Sequence, residues 1–332
     1  MSARAAGRAL AGVMVSVIAF AIVLRSVDLS RAIEILGTAS PAWISFVAGC
    51  IVLDVLLRAV RWQRLLAPIR SVRFRPVLSY LLVGYLANNV LPARLGELVR
   101  SHYLGDRERI SRTTALGTVV VERIIDTAVV VAIAAFAVLV LNVRGVVTSA
   151  IAIGSALVAL LAVGLAIAVA AHRLPGAAVA ARTLARWPSV DGVVRRLRGG
   201  LMVAERPRVL AEALGLSVVA WGATLLAFAA AGQAIGVELR IGEAALLASG
   251  VALASAIPSG PGYLGTYELA AVKIAEALGR PVDSAFTMAL IVHATILIVT
   301  TLGGFVALRQ LGWRRMPDSG SGQSPTREPR GA

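Results

Sequence analysis

Four groups of ionisable or helix-breaking residues interrupt stretches that are otherwise apolar. The first lies in LLVGYLANNVLPARLGELVR, Leu81 to Arg100, where Asn88, Asn89, Pro92, Arg94, Gly96 and Glu97 crowd together just ahead of Arg100. Asp54, Arg58 and Arg61 form the second, at the four- and three-residue spacings that share one helix face. Glu122, Arg123 and Asp126 form the third, inside the apolar run that begins at Thr114. The fourth is IPSGPGYLGTYE, Ile257 to Glu268, in which Pro258, Gly260, Pro261, Gly262 and Gly265 precede Glu268; His293 stands alone in the last apolar run.

In hydrocarbon, such residues are costly unless protein buries them or they line a wet cavity. Arg94, Arg100 and Arg123 have the chemistry to hold a phosphate, with Asn88 and Asn89 adding hydrogen bonds. Glu97, Glu122 and Asp126 would keep those cations paired while the site is empty, because a lone buried charge is expensive. Asp54 can pair with Arg58, leaving Arg61 for a lipid phosphate; an interfacial cluster snorkelling beside Trp62 is the plainer alternative. The glycines and prolines of the fourth group stop a continuous helix, and a helix resuming near Thr266 would aim free N–H donors at an anion. Glu268 in its first turn would serve equally as a cap. His293 reads first as a satisfied interior histidine.

Composition sets the setting for this chemistry. The chain is 58% hydrophobic and 15% charged, which places it among integral membrane proteins. Its 33 basic residues against 18 acidic ones give +15, and every basic residue except Lys273 is arginine. The positive charges sit between apolar spans, so they point to anionic lipid and membrane orientation rather than to nucleic acid. The lone Cys50 excludes an internal disulfide framework, and the scattered His102, His172 and His293 offer no metal-ligand spacing, so no metal or cofactor is expected.

The elements that must carry these groups are all helical. Six apolar runs are long enough to cross a bilayer: Ala9 to Leu24, Ala42 to Leu57, Thr114 to Leu141, Val146 to Ala171, Val209 to Ile235 and Ser284 to Leu308. Val77 to Leu91 and Ala244 to Ile257 are shorter, and each ends at a proline followed by polar, glycine-containing sequence. If both turn back, about 26 basic residues fall on the cytoplasmic side with both termini, as the positive-inside rule demands; if Val77 to Leu91 crossed, the arginine-rich stretch after Ala171 would land outside. The expectation is therefore an all-α polytopic protein: six spanning helices plus two oppositely oriented re-entrant hairpins in a pseudo-inverted repeat. The repeat is matched through Pro92 and Gly96 against Pro258 and Gly262.

Residues 1–312 would form one membrane domain. Arg4 and Arg8 ahead of Ala9 to Leu24 resemble a signal peptide, with an A-x-A at Ala19 to Ala21, but apolar sequence continues past that point and the segment is expected to stay as a span. Within the cytoplasmic loop 172–208, Arg182 to Arg208 reads as amphipathic interfacial helix, with Leu184, Trp187, Val194 and Leu197 toward lipid, or as a solvated basic loop. Residues 313–332 read as a disordered cytoplasmic tail. The pattern G-x-G-x-x-G at Gly260, Gly262 and Gly265 lacks a preceding strand and carries Pro261, so it is no nucleotide fingerprint. GQAIG at Gly232 to Gly236 is a close-packing pattern within one bundle.

Four of these stretches, RAVRW at Arg58 to Trp62, NNVLPARLGELVR, VERIID at Val121 to Asp126 and PSGPGYLGTYE, together resemble the lysylphosphatidylglycerol synthase transmembrane region family. The resemblance covers roughly Ala9 to Leu311. It implies a lipid translocase of the bacterial inner membrane, or a lipid-handling partner of a separately encoded enzyme. The soluble aminoacyl-transferase domain of the full synthase has no counterpart after Leu311, so synthase activity is not expected. His293 stands where relatives often carry an arginine. The leading expectation is a flippase that passes an anionic phospholipid or lipid-linked head group through a polar midplane cleft. An intramembrane transferase using Glu97 or Glu122 as base, and a non-catalytic membrane subunit, are the rivals.

Overall fold

The computed structural model describes residues 3–91, 95–143, 188–257 and 259–312, with a few isolated helical positions between 149 and 160. Among the described residues all regular structure is helical. The chain starts with α1 (Ala3–Ser26) and a short α2 (Leu29–Gly37), whose first turn is capped by Asp28 accepting from the Ser30 and Arg31 amides. Then comes a long–short–short–long run: α3 (Pro41–Leu66), α4 (Phe74–Val90), α5 (Gly96–Glu108) and α6 (Arg112–Leu141). After α7 (Pro188–Leu201) and one 3₁₀ turn, Met202–Glu205, the same run repeats as α8 (Pro207–Ala234), α9 (Ile241–Ala254), α10 (Thr266–Leu278) and α11 (Val282–Leu311).

Among the described residues α3, α6, α8 and α11 are each long and apolar enough to cross a bilayer, and Gly12–Ser26 with α2 qualifies as one segment bent by 83°. The chain is a multi-pass membrane protein. Large apolar side chains such as Leu139 (81% exposed) face outward, where lipid rather than water is the solvent. Of the six expected crossings, Val146 to Ala171 lies outside the described residues apart from those few isolated helical positions.

How the two runs pair follows from their contacts. The Ser40 amide donates to the Ala234 carbonyl at 2.8 Å, while Arg64 at the other end of α3 reaches Glu212 at 3.7 Å, so α3 and α8 lie antiparallel. The first short limb of each run then packs on the long helix that closes the other run. Gly303 and Gly304 of α11 let Leu82 and Leu86 of α4 approach closely, and Gly242 of α9 does the same for Leu141 of α6. Ala134 and Ala137 of α6 continue that seam against Ala244, Ala245 and Ala248. Small residues allow close approach where the hydrophobic effect cannot drive association.

Two helical hairpins result. In the first, Tyr80 Oη donates to Glu108 Oε1 at 2.9 Å, and a Cβ on Gly96 would stand only 2.0 Å from the Gly84 carbonyl oxygen. In the second, Arg280 donates to both Glu243 carboxylate oxygens at 2.9 and 3.0 Å, and Gly250 packs under Ile274. Since each hairpin follows the C-terminal end of one member of the antiparallel pair α3 and α8, the two start from opposite ends of the bundle. Their tips meet: a Cβ on Gly262 would lie 3.8 Å from the Asn89 carbonyl oxygen.

The proline-to-glycine spacing occurs twice in the second broken segment. Gly96 opens α5, and Gly265, at φ 88°, is the residue before α10. Beside Pro258 and Gly262, the pattern P-x-x-L-G of 92–96 is found again at 261–265. Helix α7 departs from expectation. Gly200 seats against Gly117, where a side chain on either would clash, and Leu197 joins Leu65, Val121 and Leu201 in a cluster against α6 rather than facing lipid. Leu184, Trp187, the Val194 side chain and the tail from 313 fall outside the described residues.

Candidate functional site

The buried face of α3 meets α6 through a continuous ion network. Arg58 lies over Asp54, as their spacing predicts, with Nε 2.9 and 2.8 Å from the two carboxylate oxygens, and its Nη1 donates to Asp126 Oδ2 at 3.0 Å. Arg61 donates to both oxygens of Asp126, reaches Glu122 Oε1 at 3.1 Å, and gives its last described bond to Ser217 Oγ at 2.7 Å. Arg100, arriving from α5, holds Glu122 by two bonds of 3.1 and 3.2 Å and stacks over Trp62 at 4.7 Å. Arg123 Nη2 donates to Glu122 Oε1 at 2.7 Å and stands 3.7 Å from Asp126. From α8 the Trp221 indole donates to Asp126 Oδ1 at 3.1 Å while its ring lies 4.9 Å beneath Arg58. Forked guanidinium–carboxylate pairs of this kind are what permit ions to stand where water is excluded.

One side of this network is open. Between it and the two hairpin tips lies a cavity of about 290 Å³, lined on the charged wall by Asp54, Arg58, Glu97, Arg123 and Asp126. The Arg123 side chain is 40% exposed although its carboxylate partner Glu122 is fully buried. Glu97 also faces the space, and its Oε2 has no hydrogen-bond partner among the described residues.

Asn88 and Asn89 fix the first tip. Asn88 Oδ1 accepts the Gly96 amide at 2.7 Å, capping α5, and Asn89 Nδ2 donates to Thr300 and Thr301 of α11 at 2.8 and 3.0 Å. Both also line the cavity.

The second tip is held differently. Gly262 (φ 65°) and Tyr263 (φ 59°) turn left-handed before α10, and Glu268 Oε2 accepts the Gly265 amide at 2.7 Å, so Glu268 is indeed a cap. Its other oxygen lies 2.6 Å from His293 Nδ1, and His293 Nε2 lies 2.8 Å from the Gly262 carbonyl oxygen. Gly260 donates to Ser16 Oγ at 2.9 Å, tying the tip to α1.

The residues singled out in the sequence thus separate by where the fold places them. Asn88, Asn89, Glu97, Arg123, Asp126 and, through His293, the Gly262 and Glu268 tip come together around the cavity. Arg61, Arg100 and Glu122 are buried behind it and turned on one another, so Arg61 is not left over for a lipid. Gly96 and Gly260 serve packing and backbone contacts at the tips. Pro92, Arg94 and Pro258 lie outside the described residues. Trp221, Ser217, Tyr85 and Tyr267 were not anticipated. A tryptophan and a serine one helical turn apart inside an apolar run was the available signal for the first two.

The description "lysylphosphatidylglycerol synthase TM region" matches residues 9–304. The chain is 27% identical over 341 aligned residues to "Glycosyltransferase AglD" of Haloferax volcanii, covering 91% of this chain and 54% of that protein. It is 28% identical over 110 residues to a UPF0104 membrane protein of Methanocaldococcus jannaschii, covering 32% of this chain and 33% of the other. The chain therefore spans about half the length of the first relative and a third of the second. No solved structure matches it.

Proposed function

Since the chain belongs to the lysylphosphatidylglycerol synthase transmembrane region family, we propose that it moves an anionic phospholipid or a lipid-linked head group between leaflets. The observation that carries this reading is the cavity at the meeting of two oppositely directed hairpins, with Arg123 half-open into it. In this reading the hairpins are re-entrant, the termini are cytoplasmic, and the head group crosses where the tips touch while the acyl chains remain in lipid. Arg123 and Arg58 attract the phosphate, the Asn88 and Asn89 amides orient it, and Asp54 and Asp126 hold the guanidiniums in place between passages. The buried Arg61, Arg100 and Glu122 keep that wall rigid. Two such opposed broken elements around a midplane site are how many secondary transporters are built.

The test is reconstitution into phosphatidylethanolamine–phosphatidylglycerol vesicles carrying a fluorescent phosphatidylglycerol, with leaflet exchange followed by quenching of the outer leaflet. Exchange faster than in protein-free vesicles, and lost in Arg123→Ala, is expected. Exchange no faster than the protein-free control would refute the reading.

A second reading is favoured by Glu97. Its Oε2, without a hydrogen-bond partner among the described residues, has the placement of a general base on the cavity wall, and one relative bears the name of a glycosyltransferase. A covalent change in a lipid-linked donor, detected by mass spectrometry and abolished in Glu97→Gln, would decide for transfer over translocation.

A further inference from the structure

We infer that Glu268 and His293 together form a proton-binding site on the cavity, and that its occupancy decides whether the second hairpin is strapped to α11 by two hydrogen bonds or by one. The Gly262 oxygen is a backbone carbonyl and can only accept, so the 2.8 Å contact from His293 Nε2 needs a hydrogen on that nitrogen. A neutral imidazole then has none left for Nδ1, yet Nδ1 lies 2.6 Å from Glu268 Oε1, and an ionised carboxylate also only accepts. Making both bonds takes one hydrogen more than a neutral ring and an ionised carboxyl possess. The pair therefore carries an added proton, shared between Nδ1 and Oε1. The other carboxylate oxygen cannot relieve the count, because it already accepts from the Gly265 amide at 2.7 Å.

The surroundings make that proton consequential. Both side chains are 3% exposed, so with the proton the pair is neutral overall and without it a net negative charge stays buried. His293 lines the cavity and can exchange with it. Tyr267, also on the cavity, stacks on the imidazole at 4.2 Å, and its buried hydroxyl has no hydrogen-bond partner among the described residues. Facing the pair across the space are Asp54 and Arg58 on α3, Tyr85 on α4, Glu97 on α5, and Arg123 and Asp126 on α6. Tyr263 lies on the tip itself; α8 and α9 add no ionisable side chain to the described lining.

Removing the proton leaves a ring that can donate only once. Either Nδ1 or Nε2 then turns a lone pair toward an oxygen, and one of the two straps is lost. One strap ends on Gly262, the residue that abuts Asn89 of the first tip. The proton is thus a second ligand of the cavity, placed to couple its own movement to parting of the tips. This coupling rests on the translocation reading; the proton site does not.

The two are separable by experiment. In vesicles of phosphatidylethanolamine and phosphatidylglycerol, ¹⁵N-histidine spectra of a His102→Gln, His172→Gln protein report His293 alone. Over a scan from about pH 5 to 9, either both ring nitrogens bear hydrogen at the acid end and one loses it, or an infrared carboxylic-acid band is present that Glu268→Gln lacks. A ring singly protonated throughout, with no such band, overturns the site. With labelled phosphatidylglycerol, a one-unit pH gradient is expected to change the wild-type transfer rate about fivefold or more, and His293→Gln to lose the response. Transfer indifferent to the gradient overturns the coupling. Absence of any transfer alongside a positive spectrum overturns the translocation reading and leaves the proton site standing.

Discussion

Arg61 and Asp126 meet through paired hydrogen bonds between α3 and α6, with the Arg61 side chain fully buried and that of Asp126 6% exposed. Asp126 also holds Arg58 and the Trp221 indole, so three elements converge on one carboxylate. Loss of either partner unbalances the buried charges: without Asp126 the Arg58 and Arg61 guanidiniums lose the carboxylate they share, and without Arg61 both Asp126 and Glu122 lose a buried donor. Asp126→Ala or Arg61→Ala should cost about 3–5 kcal/mol. Arg64→Ala, one turn from Arg61 and facing the exposed Glu212 at 3.7 Å, should cost under about 1 kcal/mol. Unfolding in mixed detergent micelles, followed by tryptophan fluorescence, measures both; equal effects would show that the network is not the structural core of this half.

Arg123 belongs to the same network but should behave in the opposite way. Glu122 keeps Arg100 and Arg61 when Arg123 is removed, and the Arg123 side chain is already 40% exposed. Arg123→Ala is expected to change stability by no more than about 1 kcal/mol while slowing leaflet exchange by about tenfold or more. Arg123→Lys keeps the charge without the planar fork and should fall between. A variant that unfolds like Asp126→Ala would move Arg123 from the site to the scaffold.

The contrast marks what the sequence could and could not say. The ionisable triplets were legible because charges within apolar runs have to be paired, and the four-residue spacing of Asp54 and Arg58 named its own partner. Spacing along one helix carries no information about which arginine faces a cavity and which is sealed behind it. That was decided by Trp62, Ser217 and Trp221 arriving from other faces and elements. The two proline- and glycine-broken segments were legible, and each falls between two short helices. Leu197 misled because an amphipathic pattern looks the same whether its apolar side meets lipid or a glycine-lined helix.

Gly96 tests the first hairpin. A methyl group there would lie 2.0 Å from the Gly84 oxygen and 2.6 Å from Asn88 Oδ1, so the limbs must splay and the cap on α5 must break. Gly96→Ala should destabilise by about 1–3 kcal/mol and impair transfer with it. Gly49, whose added methyl meets nothing within 4 Å, is the matched control: Gly49→Ala should be neutral or stabilising by up to about 1 kcal/mol. The same unfolding assay reads both, and an unaffected Gly96→Ala would mean that the two limbs do not pack as closely as their glycines allow.

The orientation of both hairpins can be read from the outside of a cell. Arg107 lies near the open end of the first hairpin, and Lys273, exposed and paired only with Glu276 at 2.7 Å among the described residues, lies on the returning limb of the second. With α3 and α8 antiparallel, the two positions belong to opposite ends of the bundle. In a background lacking Cys50, Lys273→Cys should react with an impermeant maleimide on intact cells, and Arg107→Cys only after permeabilisation. Were α4 to cross the bilayer as an ordinary span, every later segment would change sides. Arg107→Cys would then be the outward one, Lys273→Cys would be shielded, and the arginine-rich stretch after Ala171 would face outward against the charge bias of membranes. Reversed labelling would remove the chamber between opposed tips, and with it the route for a head group.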